Sequence, residues 1–163
     1  MGREVRQVPP NWEHPRYTDR DAPRSQLIGK YRPCFDQDFE AAAAEWVEGF
    51  DQWRAGKHPC QDDYPYWEWK SPPERDSCRP KFSQEPTWWQ VYETVSEGTP
   101  VTPPFPTKEE LVDWLVNKGE NHGTEYEERF SRKAAEGFVE AGYALSMVVS
   151  GGRAMRGIEA YDE

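Results

Sequence analysis

The sequence predicts an α+β protein: a small antiparallel or mixed sheet, about three helices packed on it, and a proline-rich N-terminal segment that wraps the domain. Two observations support this class. The run Trp88–Thr94 is rich in strand-forming residues, and two apolar runs flank a Gly-Gly pair near the C-terminus. Between them lie two segments with apolar residues at helical spacing. The order strand, helix, helix, strand, strand places helices on one side of a small sheet.

The length of 163 residues and the mass of 19.0 kDa predict a single domain over residues 1–163. Residues 1–35 are predicted to be an extended, proline-rich segment with one short strand at Glu4–Val8. Residues 57–86 are predicted to be an irregular, proline- and aromatic-rich insertion, in which "YPYWEW" indicates a short extended piece. Mean hydropathy is −1.03 with 8 Trp and 8 Tyr, so aromatic side chains must form much of the core.

The clearest helix lies within "DQDFEAAAAEWVEGFDQWRAG". Asp36 is its predicted N-cap and Gly56 its predicted terminator. One face is predicted to enter the core, because its apolar residues recur at steps of three and four. The residues of that face are Phe39, Ala43, Trp46, Phe50 and Trp53.

Two later helices carry start and stop signals. In "TKEELVDWLVNKG", Thr107 and Glu110 predict a capping box, and Gly119 ends the helix. In "TEYEERFSRKAAEGFVEAG", Thr124 and Glu127 predict a second capping box, and Gly142 ends that helix. The predicted buried faces hold Leu111, Trp114 and Leu115 in the first, and Tyr126, Phe130, Ala134 and Phe138 in the second. The segment "YALSMVVSGGRAMRG" then predicts a β-hairpin.

Net charge is −10, and only residues 1–33 are net positive, so the chain lacks the basic footprint of a duplex nucleic-acid binder. No apolar run is long enough to span a membrane, and "MGREVRQVPPNWEHP" has no signal-peptide hydrophobic region. Three scattered cysteines, Cys34, Cys60 and Cys78, predict a reduced protein of the cytoplasm without disulfides. His58 and Cys60 are the sole close pair of metal-ligand type, so we expect no metal and no cofactor. We expect a monomer or small homo-oligomer.

The segment "TVSEGTPVTP" (residues 94–103) is the first candidate binding site. Its glycine lets a ligand approach the backbone, its amides can bind an anion, and the aromatic rings beside it can stack on a nucleobase. The alternative is structural: the hydroxyl residues end a strand, Gly98 makes the turn and the tryptophan pair is core. The predicted ligand-binding residues are Trp88, Trp89, Tyr92, Thr94, Ser96, Gly98, Thr99 and Thr102, with Arg153 and Arg156 as cations for a phosphate.

The outer face of the first predicted helix is the second candidate. It carries four acids: Glu40, Glu45, Glu48 and Asp51. Such a face is either ordinary solvated surface or a surface that imitates DNA phosphates and binds a nucleic-acid-binding protein.

The opening "MGREVRQVPPNWEHP", the segment "YETVSEGTPVTPPFPTKEELVDWL" and the C-terminal "GFVEAGYALSMVVSGGRAMRG" resemble a group of hypothetical proteins encoded by tailed phages and prophages. The resemblance implies a viral accessory protein acting in the cytoplasm of a host bacterium. It implies no activity of its own. Phage proteins of this size and charge are often counter-defence factors, which is an association rather than a physical argument.

Three hypotheses follow, none of them enzymatic, since the chain has no catalytic motif. In the first, the protein evades bacterial immunity by binding and sequestering a small nucleotide-like signalling ligand in the 94–103 loop. In the second, it is an acidic inhibitor that binds a host defence protein, acting as a DNA mimic in one version. In the third, it is a component of virion assembly.

Overall fold

A computed structural model describes residues 2–59, 64–94, 98–121 and 127–162. For Glu120, Asn121, Glu127 and Glu128 it describes the backbone alone. The predicted α+β class is confirmed, since four helices accompany strands in small, mostly antiparallel sheets. Several residues singled out in the sequence lie outside the described residues: Cys60, Ser96, Thr124 and Tyr126.

The strands are β1 (Arg3–Val8), β2 (Phe35–Asp38), β3 (Cys78–Arg79), β4 (Trp88–Glu93), β5 (Thr99–Pro100), β6 (Glu120–Asn121), β7 (Glu127–Glu128), β8 (Tyr143–Ala144), β9 (Met147–Ser150) and β10 (Arg153–Arg156). The α-helices are α1 (Phe39–Arg54), α2 (Tyr66–Trp69), α3 (Lys108–Asn117) and α4 (Arg132–Ala141). Three short 3-10 turns lie at Ser25–Leu27, Arg75–Ser77 and Glu159–Asp162. None of the described helices is long and apolar enough to cross a membrane.

The chain divides into two compact units. The sheet unit is Met1–Pro33 with Phe82–Glu163, and the aromatic unit is Cys34–Lys81. The aromatic unit thus contains both the first predicted helix and most of the predicted irregular insertion. That the two units fold as one cooperative domain stays a prediction.

The sheet unit is built on a four-stranded antiparallel sheet in the order β5-β4-β1-β8. The predicted strands Glu4–Val8 and Trp88–Thr94 are confirmed as β1 and β4, which pair from Arg3↔Glu93 to Val8↔Trp88. Successive side chains of a strand point to opposite faces. One face holds Val5, Trp89 and Val91 and packs on α3 and α4. The core there also contains Leu111, Leu115, Ala135, Phe138 and Val139.

The N-terminal segment covers the other face of the sheet, as the proline-rich sequence predicted. Tyr92 and Gln90 belong to that face and are buried. Trp12 Nε1 donates to the Tyr92 hydroxyl at 3.2 Å, and the Trp12 ring lies edge-on to Phe82 at 4.9 Å. The segment is therefore held by polar and aromatic contacts rather than by an aliphatic core.

The helix caps in the sheet unit agree with the sequence for α3 and differ for α4. Thr107 caps α3 by accepting a hydrogen bond from the Glu110 amide at 3.1 Å. The predicted start at Thr124 and Glu127 is wrong, because α4 begins at Arg132 with Ser131 as its N-cap. Ser131 Oγ accepts from the Ala134 amide at 3.1 Å. Starting here also buries Phe130, the residue before the cap, in the core that holds the first turns of α4.

The aromatic unit differs from its prediction in three places. The predicted inner face of α1 does not enter the core: its residues are half-buried, because its rings pack against one another and against the short helix α2. Asp38, not Asp36, is the N-cap of α1, since Asp38 Oδ1 accepts from the Ala41 amide at 3.0 Å. Asp36 lies in β2 and faces Arg79 across the β2–β3 pair. The "YPYWEW" segment is not extended, because its last four residues form the single-turn helix α2. Pro65 is the N-cap of α2, and its carbonyl accepts hydrogen bonds from the amides of Glu68 and Trp69.

Candidate functional site

The 94–103 loop contributes fewer free groups than the sequence predicted. Ser96 lies outside the described residues, and Gly98 and Thr102 are buried. Thr102 Oγ1 accepts from the Val91 amide at 3.1 Å and donates to the Pro103 carbonyl at 3.0 Å. Gly98 has φ of 101°, a backbone conformation that other residues avoid. These two residues hold β4 and β5 together, as in the structural alternative.

The aromatic residues of the candidate site are also used by the fold. Trp89 packs against the hydrophobic core, and Lys108 Nζ lies 4.9 Å from the centroid of its ring. Tyr92 is buried, with the Arg6 guanidinium 4.4 Å from its ring centroid. Trp88 and Thr99 are half-buried and Thr94 is exposed, so these three retain surface for a ligand.

The predicted phosphate-binding cations lie on the C-terminal hairpin. Arg153 and Arg156 are both exposed on β10. Arg3 and Arg6, on β1, are instead buried and paired with acids. Arg3 Nη1 lies 3.7 Å from Glu93 Oε1, and Arg6 Nε donates to Glu4 Oε1 at 2.6 Å.

The acidic face of α1 is exposed but partly neutralised. Lys70 Nζ donates to Glu45 Oε1 at 2.6 Å, and Arg75 Nη1 lies 3.6 Å from Glu40 Oε1. The hydrogen bond from Lys70 is the main reason that the pKa of Glu45 is lowered from its ordinary value. Glu48 and Asp51 line an open groove of about 770 Å³ along α1, together with small apolar side chains such as Val47. This face has alternating charge rather than the uniform charge of a phosphate backbone.

A buried polar cluster around the Tyr92 hydroxyl is a feature that sequence reasoning missed. Tyr92 donates to Gln90 Oε1 at 3.0 Å and accepts from Trp12, while His14 Nδ1 lies 3.2 Å from the same oxygen. His14 Nε2 lies 2.7 Å from the Arg32 carbonyl, which identifies this nitrogen as a donor. A histidine within a proline-rich segment gave no pattern from which these contacts could be predicted.

Burial lowers the pKa of His14 from 6.5 to about 4. The hydrogen bond to the Arg32 carbonyl opposes this change, and the charges of Arg6, Arg16 and Arg32 reinforce it. His14 is therefore neutral at pH 7 and connects the N-terminal segment to the sheet.

The most exposed apolar surface of the sheet unit is a short strip around the start of the hairpin. Tyr143, Leu145, Met147 and Val149 are 60%, 62%, 61% and 66% exposed. Ala144 and Val148 alternate with them and are buried and half-buried. We call Tyr143, Leu145, Met147 and Val149 the apolar strip. The sequence signal for it is that residues 141–158 contain no acid in a chain with 30 Asp and Glu.

Exposed aromatic side chains also occur in the aromatic unit. Trp67 and Trp69 are each about half exposed on α2. Their inner edges contact other rings: Trp67 lies 5.7 Å from Trp53, and Trp69 lies 5.0 Å from His58. The aromatic rings of α2 therefore cover part of the apolar face of α1.

Within the described ranges, no group of three or more His, Cys, Asp or Glu is placed to hold a metal ion. Cys34 and Cys78 are buried, and burial raises the pKa of the Cys78 thiol.

The fold and the surface together describe a small α+β protein with exposed apolar side chains between β8 and the β9–β10 hairpin. No protein-family model, no curated protein and no solved structure matches the chain.

Proposed function

We propose that this protein is a non-enzymatic inhibitor that docks on a host defence protein through the apolar strip. The single observation that carries the proposal is the exposure of four large apolar side chains within seven residues. The phage-like sequence supplies the other part of the proposal, a target in a bacterial host. The protein-binding hypothesis of the sequence is thus retained, with the hairpin in place of the acidic face of α1.

The physical argument is the cost of exposed apolar surface. Small monomeric proteins rarely expose large contiguous apolar patches, and a large exposed patch commonly marks an interaction site. Covering the exposed area of each strip residue contributes about 1–2 kcal/mol, a fraction of the value for complete burial. Tyr143 and Met147 are also of the residue types that protein interfaces favour.

Capture of a nucleotide-like ligand stays a second prediction. It is supported by the surface that Trp88, Thr94 and Thr99 retain beside the 94–103 loop. It is weakened by the structural partners of Tyr92 and Thr102, whose hydroxyl groups are already satisfied. The protein-docking proposal therefore has the stronger support.

The test is phage plating on bacteria that each carry one defence system. The wild-type chain is expected to restore plating against one system, and Leu145→Asp with Met147→Asp is expected to abolish the effect. Ile28→Asp is the matched control, because Ile28 is an exposed aliphatic residue of the same unit outside the strip. The captured target should slow hydrogen exchange at residues 143–149.

Three results would contradict the proposal. One is full activity of the strip variant, and another is equal loss in the Ile28→Asp control. The third is a rise in melting temperature with cyclic or linear nucleotides in the absence of any protein target, which would favour ligand capture. Incorporation of the chain into purified virions would favour the assembly hypothesis instead.

A further inference from the structure

We infer that β9 binds its partner by strand addition, and that the added segment is extended and alternates apolar with acidic residues. This inference rests on the proposed docking function. It assigns the open edge of β9 as the site and the chemistry of one segment as its ligand.

The backbone of β9 has an unused edge. β9 pairs with β10, and no strand among the described residues pairs with its other side. Natural proteins block such edges with charges, prolines or coverings. The sequence of β9, "MVVS", contains neither a charge nor a proline.

The turn decides which amides face this open edge. Gly151 and Gly152 have φ of 53° and 79°, the pattern of a two-residue type I′ turn. In such a hairpin the residues that flank the turn, Ser150 and Arg153, form a hydrogen-bonded pair, and the pairs alternate from there. Met147 and Val149 therefore direct their N–H and C=O groups away from β10.

The same two residues present their side chains to solvent. Met147 and Val149 are strip residues, and their cross-strand neighbours on the same face are Arg156 and Ala154. A strand added at this edge would find free main-chain groups and an apolar surface at the same positions. These are the two components of recognition by strand addition.

Charge complementarity selects the occupant. Residues 141–158 contain Arg153 and Arg156 and no acid, whereas the whole chain has a net charge of −10. Apolar residues of the added segment would cover the strip, and the acidic residues between them would lie on the opposite face of the hairpin, which is the face of Arg153. A second copy of the chain fits less well, because two molecules of the same net charge repel each other.

The probe is a short synthetic peptide that alternates valine and glutamate, with a valine–lysine peptide as its matched control. Binding is measured by fluorescence anisotropy at low and high salt, and hydrogen exchange is measured residue by residue. We expect the glutamate peptide to bind about tenfold more tightly than the lysine peptide at low salt. We expect it to slow exchange at the amides of Met147 and Val149.

Two pairs of variants test the main-chain pairing and the charge interaction separately. Val149→Pro removes the outward amide and Val149→Thr keeps it, so the first should lose binding and the second should retain it. Arg153→Glu should weaken binding of the glutamate peptide about tenfold at low salt, whereas the exposed Arg20→Glu should not. If Val149→Pro proves unstable, hydrogen exchange in the wild-type protein with the glutamate peptide bound decides whether strand addition occurs.

Unchanged exchange at Met147 and Val149 with the glutamate peptide bound, or equal binding of both peptides, would overturn the inference. Formation of a homodimer that Val149→Pro abolishes would also overturn it, in favour of a second copy. If Val149→Pro keeps its phage-plating activity while the strip variant loses it, docking stands and strand addition fails.

Discussion

At the scale of single residues, Tyr92 shows most clearly that the structure gives a side chain a role other than the predicted one. The sequence predicted that the Tyr92 ring stacks on a ligand, whereas in the fold Tyr92 lies beneath the N-terminal segment. Its hydroxyl contacts Trp12, His14 and Gln90, which come from distant parts of the chain. No local pattern predicts such a meeting, because it depends on how the N-terminal segment crosses the sheet.

The lowered pKa of His14 predicts a loss of stability in acid. The folded protein keeps His14 neutral down to about pH 4, whereas the unfolded chain takes up a proton near 6.5. The stabilising difference is therefore fully present above pH 6.5 and is lost as pH falls toward 4. The difference amounts to about 3 kcal/mol over this window.

The measurement is the free energy of unfolding in denaturant from pH 7 to pH 4, for wild type and His14→Gln. The variant should lose this part of the pH dependence, whereas His58→Gln should keep it. Identical slopes for wild type and His14→Gln would show that His14 is not buried as a neutral group.

At the scale of elements, local signals predicted three of the four described α-helices, and among the strands they predicted β1, β4 and the β9–β10 hairpin. Thr107 caps α3 and Gly142 ends α4 with φ of 81°, as their residue types indicate. The misplaced starts of α1 and α4 have a shared cause. Each segment offers several polar residues near its start, and tertiary contacts select among them. β2 pairs with β3 as far as Asp38, and Phe130 is buried immediately before Ser131.

The packing of α1 against α2 predicts an unusual effect of Gly49. Alanine is normally better than glycine inside a helix by about 1 kcal/mol. A Cβ at Gly49 would overlap the ring of Tyr66, whose side chain is buried. We therefore expect Gly49→Ala to destabilise the aromatic unit and to weaken its near-ultraviolet circular dichroism.

The control for this substitution is Ala44→Gly, on an exposed position of the same helix. It should cost about 1 kcal/mol through helix propensity and leave the aromatic signal unchanged. A more stable Gly49→Ala protein would mean that Tyr66 does not pack on α1 at this position.

At the scale of the whole molecule, the hydrophobic core explains the division into two units. The core cluster of buried residues runs from Val91 to Ile158 and contains none of the described residues from 34–81. Larger aliphatic residues are scarce in that range, where Val47 is alone, so aromatic rings provide most of the packing there. The sheet unit thus has a core that is complete without the aromatic unit.

Replacing residues 34–81 by a short flexible linker should leave the sheet unit folded. We expect a cooperative thermal transition within several degrees of wild type, because no residue of the core cluster of the sheet unit is removed. The measurement is calorimetry together with hydrogen exchange at β1 and β4. Unfolding of the shortened chain would show that the single-domain prediction is right and that the units depend on each other.

The sequence by itself determined the α+β class, the positions of β1 and β4, the Gly-Gly hairpin and most helix ends. These features depend on interactions within a few residues, such as a cap hydroxyl, a positive φ or a repeating apolar pattern. The tertiary structure alone decided which surfaces are covered. Tyr92 and Thr102 are buried structural groups, whereas the four residues of the apolar strip are exposed. Burial depends on which distant elements reach a residue, and no local pattern contains that information.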